Sequence, residues 1–301
     1  MAQAGVGHPP RVDAETRARI WLSTWVYPGD RVIGSGVNTV GAVDYCQRLD
    51  RGIFHVGGKQ SAAIQARATQ TYPQIPPRST LDATLTQLAS HGITPIDPRH
   101  PHWPPALNDL GAATPWVIYA RGQTSCLGGR APRVSIVGTR HPSARGVQAA
   151  ATISAAQIAA GRIVVSGGAR GIDVAAQLVA VNAGMPTICV LAQSPHRPYP
   201  PEHRGVFDEM TVLGAVVSER PPGVAQSRGA FLARNRLIAA LSGVTVVVEA
   251  PWRSGAVSTA RHAAELGREV MGVVYPNQGA ENAGVERILQ QWAGQAIDWP
   301  S

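Results

Sequence analysis

Arginines recur beside glycines in this chain. Arg140 follows Gly138-Thr139 and precedes Ser143, and Arg170 closes the run Ser166-Gly167-Gly168-Ala169. Arg228, Arg234 and Arg236 fall within nine residues, around Asn235. Glycine lets backbone N–H groups come close to an anion, and arginine adds a planar fork that matches phosphate. Such residues support phosphate recognition rather than bond cleavage. A fourth run, Glu249-Ala250-Pro251-Trp252-Arg253-Ser254-Gly255, adds three features. Its carboxylate can accept from a sugar or base, and its serine–glycine pair leads into a helix signal. Its indole either stacks on a base or covers a sheet edge. Each run alone has an ordinary alternative, a tight turn or a solvated face.

No G-x-G-x-x-G spacing and no G-K-[ST] follows the glycines, so neither a dinucleotide fingerprint nor a Walker A loop is present. No H-x-x-E-H, G-x-S-x-G or paired-carboxylate pattern occurs, and histidines such as His100, His102, His196 and His203 sit in proline-rich or exposed contexts. The arginines have no acidic triad beside them, which argues against a nuclease. Cys46, Cys126 and Cys189 are far apart and form no CxxC pair, so no zinc site, metal or disulfide framework is expected. Binding is favoured over catalysis.

The elements that must position these runs alternate. Apolar strands are predicted at 133–137, 163–165, 187–191, 215–217, 244–248 and 269–274. Helices are predicted at 143–160, 172–183, 202–213, 230–241 and 256–266. Near-continuous apolar strands alternating with helices predict an α/β, doubly wound parallel sheet over about 131–275. Ligands of such sheets bind beyond the carboxyl ends of the strands, where all four runs fall. Upstream, Asp13 caps a helix over 13–26 and Pro28-Gly29-Asp30 breaks it. Weaker helical patterns cover 37–51 and 59–70. Residues 1–75, including a loose tail over 1–10, read as a small helical domain, and 76–301 as the sheet domain. Residues 71–79 read as a linker, 80–90 as an amphipathic helix and 116–120 as a strand. The prolines from Pro95 to Pro105 read as an extended crossing of the surface.

Of the 301 residues, 44% are hydrophobic, enough for a sizeable core. There are 27 basic and 19 acidic side chains, a net charge of +8, and Lys59 is the only lysine. This favours polyanionic partners, although a codon bias towards arginine gives the same excess. Residues 1–125 hold 11 basic and 8 acidic side chains and residues 126–301 hold 16 and 11, so the charge is not confined to one part. Position is more telling, because Arg140, Arg170, Arg234, Arg236 and Arg253 all follow predicted strands. No signal peptide and no apolar run of membrane-spanning length is read, so a cytoplasmic protein with no membrane contact is expected.

The stretches VSIVGTRHPSARG, IVVSGGARGIDVAAQ, YPPEHR, SERPPG, FLARNRLIAALS and VVVEAPWRSGAVSTARHAAELGREV resemble, in order, the DNA-processing protein A family (DprA/Smf). ITPIDPRHPHWPPALNDLGAATPWVIYARG resembles the family's lead-in. The resemblance covers about residues 90–275. It implies an extended Rossmann-like domain that binds single-stranded DNA and loads RecA recombinase during natural transformation or homologous recombination. It further implies action as a homodimer, with no metal, nucleotide or other cofactor and no catalytic residue. The DNA- or phosphate-binding positions it points to are Gly138, Thr139, Arg140, Ser166, Gly167, Gly168, Arg170, Arg234, Asn235, Arg236, Glu249, Arg253, Ser254 and Gly255, with Asp173 also matching a family loop. The chain departs from the pattern at Val274-Tyr275-Pro276-Asn277, at Glu286 and at Ala256. It stops at Ser301, short of the winged-helix tail many members carry, so a divergent member is expected. The alternative is a nucleotide-binding sensor, or an enzyme cleaving nucleoside monophosphates, on the same fold. The P-G-G-x-G-T-x-x-E stretch of such enzymes is missing.

Overall fold

A computed structural model describes residues 12–54, 61–225, 228–277, 279–292 and 294–300. The tail expected over 1–10, Lys59 and the side chain of Arg228 lie outside the described residues. Nine strands form one sheet: β1 (Thr94–Ile96), β2 (Ile118–Gly122), β3 (Arg133–Val137), β4 (Ile163–Ser166), β5 (Thr187–Leu191), β6 (Ala215–Ser218), β7 (Val244–Val247), β8 (Glu269–Val274) and β9 (Gln295–Asp298). Their order is β1-β2-β6-β5-β4-β3-β7-β8-β9. The strands from β6 to β9 in that order pair in parallel, and β2 joins β6, and β1 joins β2, antiparallel. The six expected strands are therefore the parallel core; the strand expected over 116–120 is the antiparallel β2 beside it, and the outer edges β1 and β9 are those that the sequence reading did not assign. The proline-rich crossing is in part an edge strand: Pro95 stands opposite Tyr119 in β1. An edge position tolerates the missing N–H.

The helices are α1 (Ala14–Trp25), α2 (Arg31–Val40), α3 (Ala42–Leu49), α4 (Ser61–Thr71), α5 (Thr80–Ser90), α6 (Ser125–Gly128), α7 (Ala144–Ala159), α8 (Ile172–Asn182), α9 (Arg204–Leu213), α10 (Arg228–Leu241), α11 (Gly255–Glu265) and α12 (Ala283–Gln291). Strand alternation sends Val134 and Ile136 to one face of the sheet, where Ala149, Ala150, Ile153 and Ala176 of α7 and α8 cover them. Val137, Val165 and Val247 point to the other face, under Ile238 of α10, Ala260 of α11 and Ile288 of α12. This two-sided cover explains why the strands read as unbroken apolar runs.

The helical part departs from expectation at one place. A single helix over 37–51 is replaced by α2 and α3, because Gly41 takes φ +82°. Asp30 starts α2 early by accepting from the N–H groups of Val32 and Ile33, both at 2.9 Å. The new N-terminus of α3 is capped from another helix, since Glu15 accepts from Ala42 N at 2.8 Å and Val43 N at 3.1 Å. Asp13 caps α1 as expected, accepting from Thr16 N at 2.9 Å. Trp21, Leu22, Ile33, Tyr45 and Tyr72 form one buried cluster with Leu81, Leu85 and Leu88 of α5. One apolar core therefore includes residues on both sides of position 75. The same cluster takes in Trp116, Val117 and Tyr119, so the helices sit directly on the sheet's antiparallel edge.

Candidate nucleic-acid interface

Strand order reverses beside β3: β4, β5 and β6 extend one way, and β7, β8 and β9 the other. Crossovers leaving β3 and β7 on opposite faces open a crevice at their carboxyl ends. The loops that meet there are 138–143 after β3 and 249–255 after β7. Glu249 ties them together. It is 2% exposed and accepts from Ser143 N at 3.0 Å and from Ser143 Oγ at 2.6 Å. Ser143 Oγ in turn accepts from Gly146 N at 3.1 Å and caps α7. The expected sugar- or base-accepting role of Glu249 is therefore displaced by a structural one, because its carboxylate already holds one loop to the other.

The loop after β4 is held from beneath. Asp173, at the start of α8, accepts from Gly167 N at 3.1 Å and Gly138 N at 3.4 Å, and so joins the loops after β3 and β4. Arg234 of α10 donates to the carbonyls of Gly167, at 3.0 Å, and Val190. Arg234 and Asp173 are both buried, and each feels the other's opposite charge. Burial pushes the Asp173 carboxyl up from its ordinary value and holds the Arg234 guanidinium down, while each charge restrains the other's shift. A Cβ on residue 167 would stand 2.1 Å from Arg234 Nη1, so a larger residue there would displace the guanidinium from its carbonyl partners. Gly168 takes φ +64° and turns the chain back towards α8.

Above this floor lies a cavity of about 380 Å³, lined in part by Gly138, Thr139, Arg140, Asn235, Arg253, Ser254 and Gly255. A second, of about 150 Å³, adjoins it and is lined in part by Gly167, Arg170, Gln193 and Tyr199. Arg140, His141, Ala169, Phe231 and Arg234 line both, so the two form one continuous cleft. Arg140, Arg170 and Arg253 are exposed around it. The Arg140 guanidinium stands 5.5 Å from the centre of the Phe231 ring, and Tyr199 meets that ring edge-on at 6.1 Å. Arg170 pairs with Glu202 at the surface. Asn235 donates to Gly255 O at 3.1 Å, and Ser254 Oγ caps α11 by accepting from Ala256 N at 3.2 Å. The N-terminal turn of α11, with Ser254, Gly255 and Ala256, thus lines the cavity and brings its positive dipole end there.

The family model for DNA recombination-mediator protein A matches residues 94–299. The chain belongs to that family. It is 35% identical to a relative in Mycobacterium tuberculosis named for DNA processing, over 94% of this chain and 72% of the relative. It is 31% identical to the DNA processing protein DprA of Bacillus subtilis, over 78% and 76% of the two chains. Among solved structures, DNA processing protein A of Streptococcus pneumoniae matches with a TM-score of 0.73 over 95% of each chain, at 22% identity, and shares the fold. DNA processing protein A of Helicobacter pylori, whose structure was described for its single-stranded DNA binding mode, matches with a TM-score of 0.61 at 30% identity. It covers 68% of this chain and 90% of that one.

In this DprA-type chain, Ser166, Gly168, Arg236 and Glu249 line neither cavity. Ser166 is fully buried and donates to Ile136 O at 2.6 Å, which locks β4 to β3. Arg236 leaves α10 on the side away from the cleft. Its Nη2 donates to Glu219 Oε1 at 2.8 Å, with Oε2 as an ion-pair contact at 2.7 Å, and its Nε donates to Ala113 O at 3.2 Å. Residues two apart on a helix face different ways, so Arg234 and Arg236 cannot share one groove. The same period shows what the sequence reading passed over. Phe231, Arg234, Asn235 and Ile238 follow the i, i+3, i+4, i+7 pattern, and all four line the larger cavity. His141 and Tyr199 carried no signal beyond their places in the loops.

Proposed function

We infer that this chain binds single-stranded DNA along the cleft and acts as a recombination mediator without catalysing a covalent step. The observation that carries the reading is the cleft itself. Exposed Arg140, Arg170 and Arg253 rim an elongated groove whose wall presents the Phe231 ring. A cationic groove that tracks phosphates, with an aromatic face for a base, is how single strands are held without sequence readout. The Helicobacter pylori relative's single-stranded DNA binding mode supports the same reading. A duplex hides its base faces in the stack, so the groove favours single strands. The carboxylate that hydrolysis of a nucleotide would need, Glu249, is buried and engaged by Ser143.

The finer parts rest on the family resemblance: hand-over of the bound strand to RecA recombinase, action as a homodimer, and work in the cytoplasm. Among the described residues no helix is long and apolar enough to cross a membrane.

The test is equilibrium binding of labelled single- and double-stranded oligonucleotides at about 50 mM and about 200 mM salt. Tighter binding of the single strand, with affinity falling as salt rises, is expected. Equal affinity for both forms, or release of free base from nucleoside monophosphates, would overturn the reading.

A further inference from the structure

Trp252 takes no part in the cleft, yet it is 53% exposed on the loop after β7. An isolated exposed apolar side chain is ordinary on a protein surface. Trp252 is not isolated. Leu232, 58% exposed, stands near it, and together they line a separate groove of about 400 Å³. Arg253, Arg261, Arg287 and the half-buried Trp292 are also part of its lining. The Arg287 guanidinium lies 5.0 Å from the centre of the Trp252 ring, while its Nε donates to Gln291 Oε1 at 2.9 Å and is thereby held in place. Arg261 shares its charge with Glu265 at 3.1 Å. Leu232, Arg253, Ser254 and Gly255 line this groove and also the larger cavity of the cleft. The two are therefore neighbours joined by the rim that carries Arg253.

We propose that the Trp252–Arg287 groove is an extension subsite for the same single strand, where Trp252 stacks on a base beyond those held in the cleft. The proposal rests on the single-stranded reading of the cleft. Continuity of the lining selects the occupant: a strand leaving the cleft past Arg253 meets Trp252 next. Charge selects it too, because Arg253 and Arg287 flank the indole and match a phosphate on either side of a stacked base. Arg287 against one face of the ring orients the indole, and the exposed part is offered to the base. Stacking on the indole is open to any base, so the subsite adds length dependence.

The test compares the full chain with W252A, W252F and R287Q on oligothymidylates of about 6 and about 18 nucleotides. W252A should bind the long strand about tenfold more weakly and the short strand as the unaltered chain does. W252F should recover most of the loss, and R287Q should show a smaller one. Equal affinity of W252A and the unaltered chain for the long strand overturns the subsite while leaving the cleft reading intact. A changed sedimentation coefficient in W252A with unchanged binding makes this face a contact between copies and also overturns it. Failure of the unaltered chain to bind either length overturns the cleft reading, and the subsite with it.

Discussion

Two sides of one helix do different work in this molecule. The side of α10 that carries Phe231, Arg234 and Asn235 builds the cleft, whereas the side that carries Arg236 ties the helix to Glu219 just after β6 and to the Ala113 carbonyl ahead of β2. Both sides use arginine, and both arginines are buried. The difference lies in what their charges leave over. Arg234 is spent on the Gly167 and Val190 carbonyls, and it shapes loops whose exposed arginines face solvent. Arg236 faces Glu219 and the Ala113 carbonyl and presents nothing outward. Density of basic residues along the chain is therefore a poor guide to a binding surface. Exposure after folding is the better one.

The comparison breaks most sharply at Arg236. R236A should leave Glu219 buried and unpaired and lower stability by about 3–5 kcal/mol, read as a drop in the urea midpoint. Oligonucleotide affinity, measured on the fraction that stays folded, should stay close to the original. A large loss of affinity there would place Arg236 in the interface after all.

On the cleft side the order reverses. R140A and R170E replace exposed side chains, so stability should move by no more than about 0.5 kcal/mol. Single-strand affinity should fall, and the salt slope should lessen by about one phosphate contact for R140A. R170E should lose more affinity than R140A, since it reverses a charge and leaves Glu202 beside a second carboxylate. Unchanged affinity in both variants would remove the groove.

The smallest effect concerns a second clamp between the helices and the sheet edge. Arg99 donates to Asp13 Oδ2 at 2.8 Å and to Asp97 Oδ2 at 2.6 Å, and Thr16 Oγ1 donates to Asp97 at 2.7 Å. Hydrogen bonds from Arg99 and from the Thr16 N–H hold the Asp13 carboxyl well below the usual range. Burial would raise Asp97, but the bonds from Arg99 and Thr16 outweigh it and hold it low as well. Both groups thus bind protons more weakly folded than unfolded. Their contribution is present above the ordinary carboxylate value of about 4 and is lost as pH falls towards the lowered folded values. R99A should flatten this acid limb of the urea midpoint between about pH 5 and pH 2. The effect is small because Asp13 and Arg99 are largely exposed and solvent screens the pair.

Much of this was legible from residue order. Six apolar runs alternating with helical signals name a parallel sheet, and the sheet's rule for ligands points to the loops carrying Arg140, Arg170 and Arg253. Other features were hidden by distance along the chain. Glu15 caps α3 from another helix, and Glu249 meets Ser143 across the reversal of strand order. β1 is short and carries proline, and β9 (Gln295–Asp298) is largely exposed and lacks an apolar run, so neither signals itself without the neighbour it pairs with. Arg236 and Phe231 are intermediate cases, because helical period alone separates their faces but only packing says which face meets the cleft.

By itself the sequence determined the alternation of elements, the caps set by nearby residues such as Asp13, and the edge of the sheet at which a ligand must bind. Those depend on local backbone geometry and side-chain period, which a single chain segment carries. The tertiary structure decided which polar groups are spent. Ser166, Arg236 and Glu249 are consumed by partners far away in sequence, and Arg140, Arg170 and Arg253 are left facing solvent. The reason is physical: a buried polar group must find a partner, and that partner is chosen by proximity in space rather than along the chain.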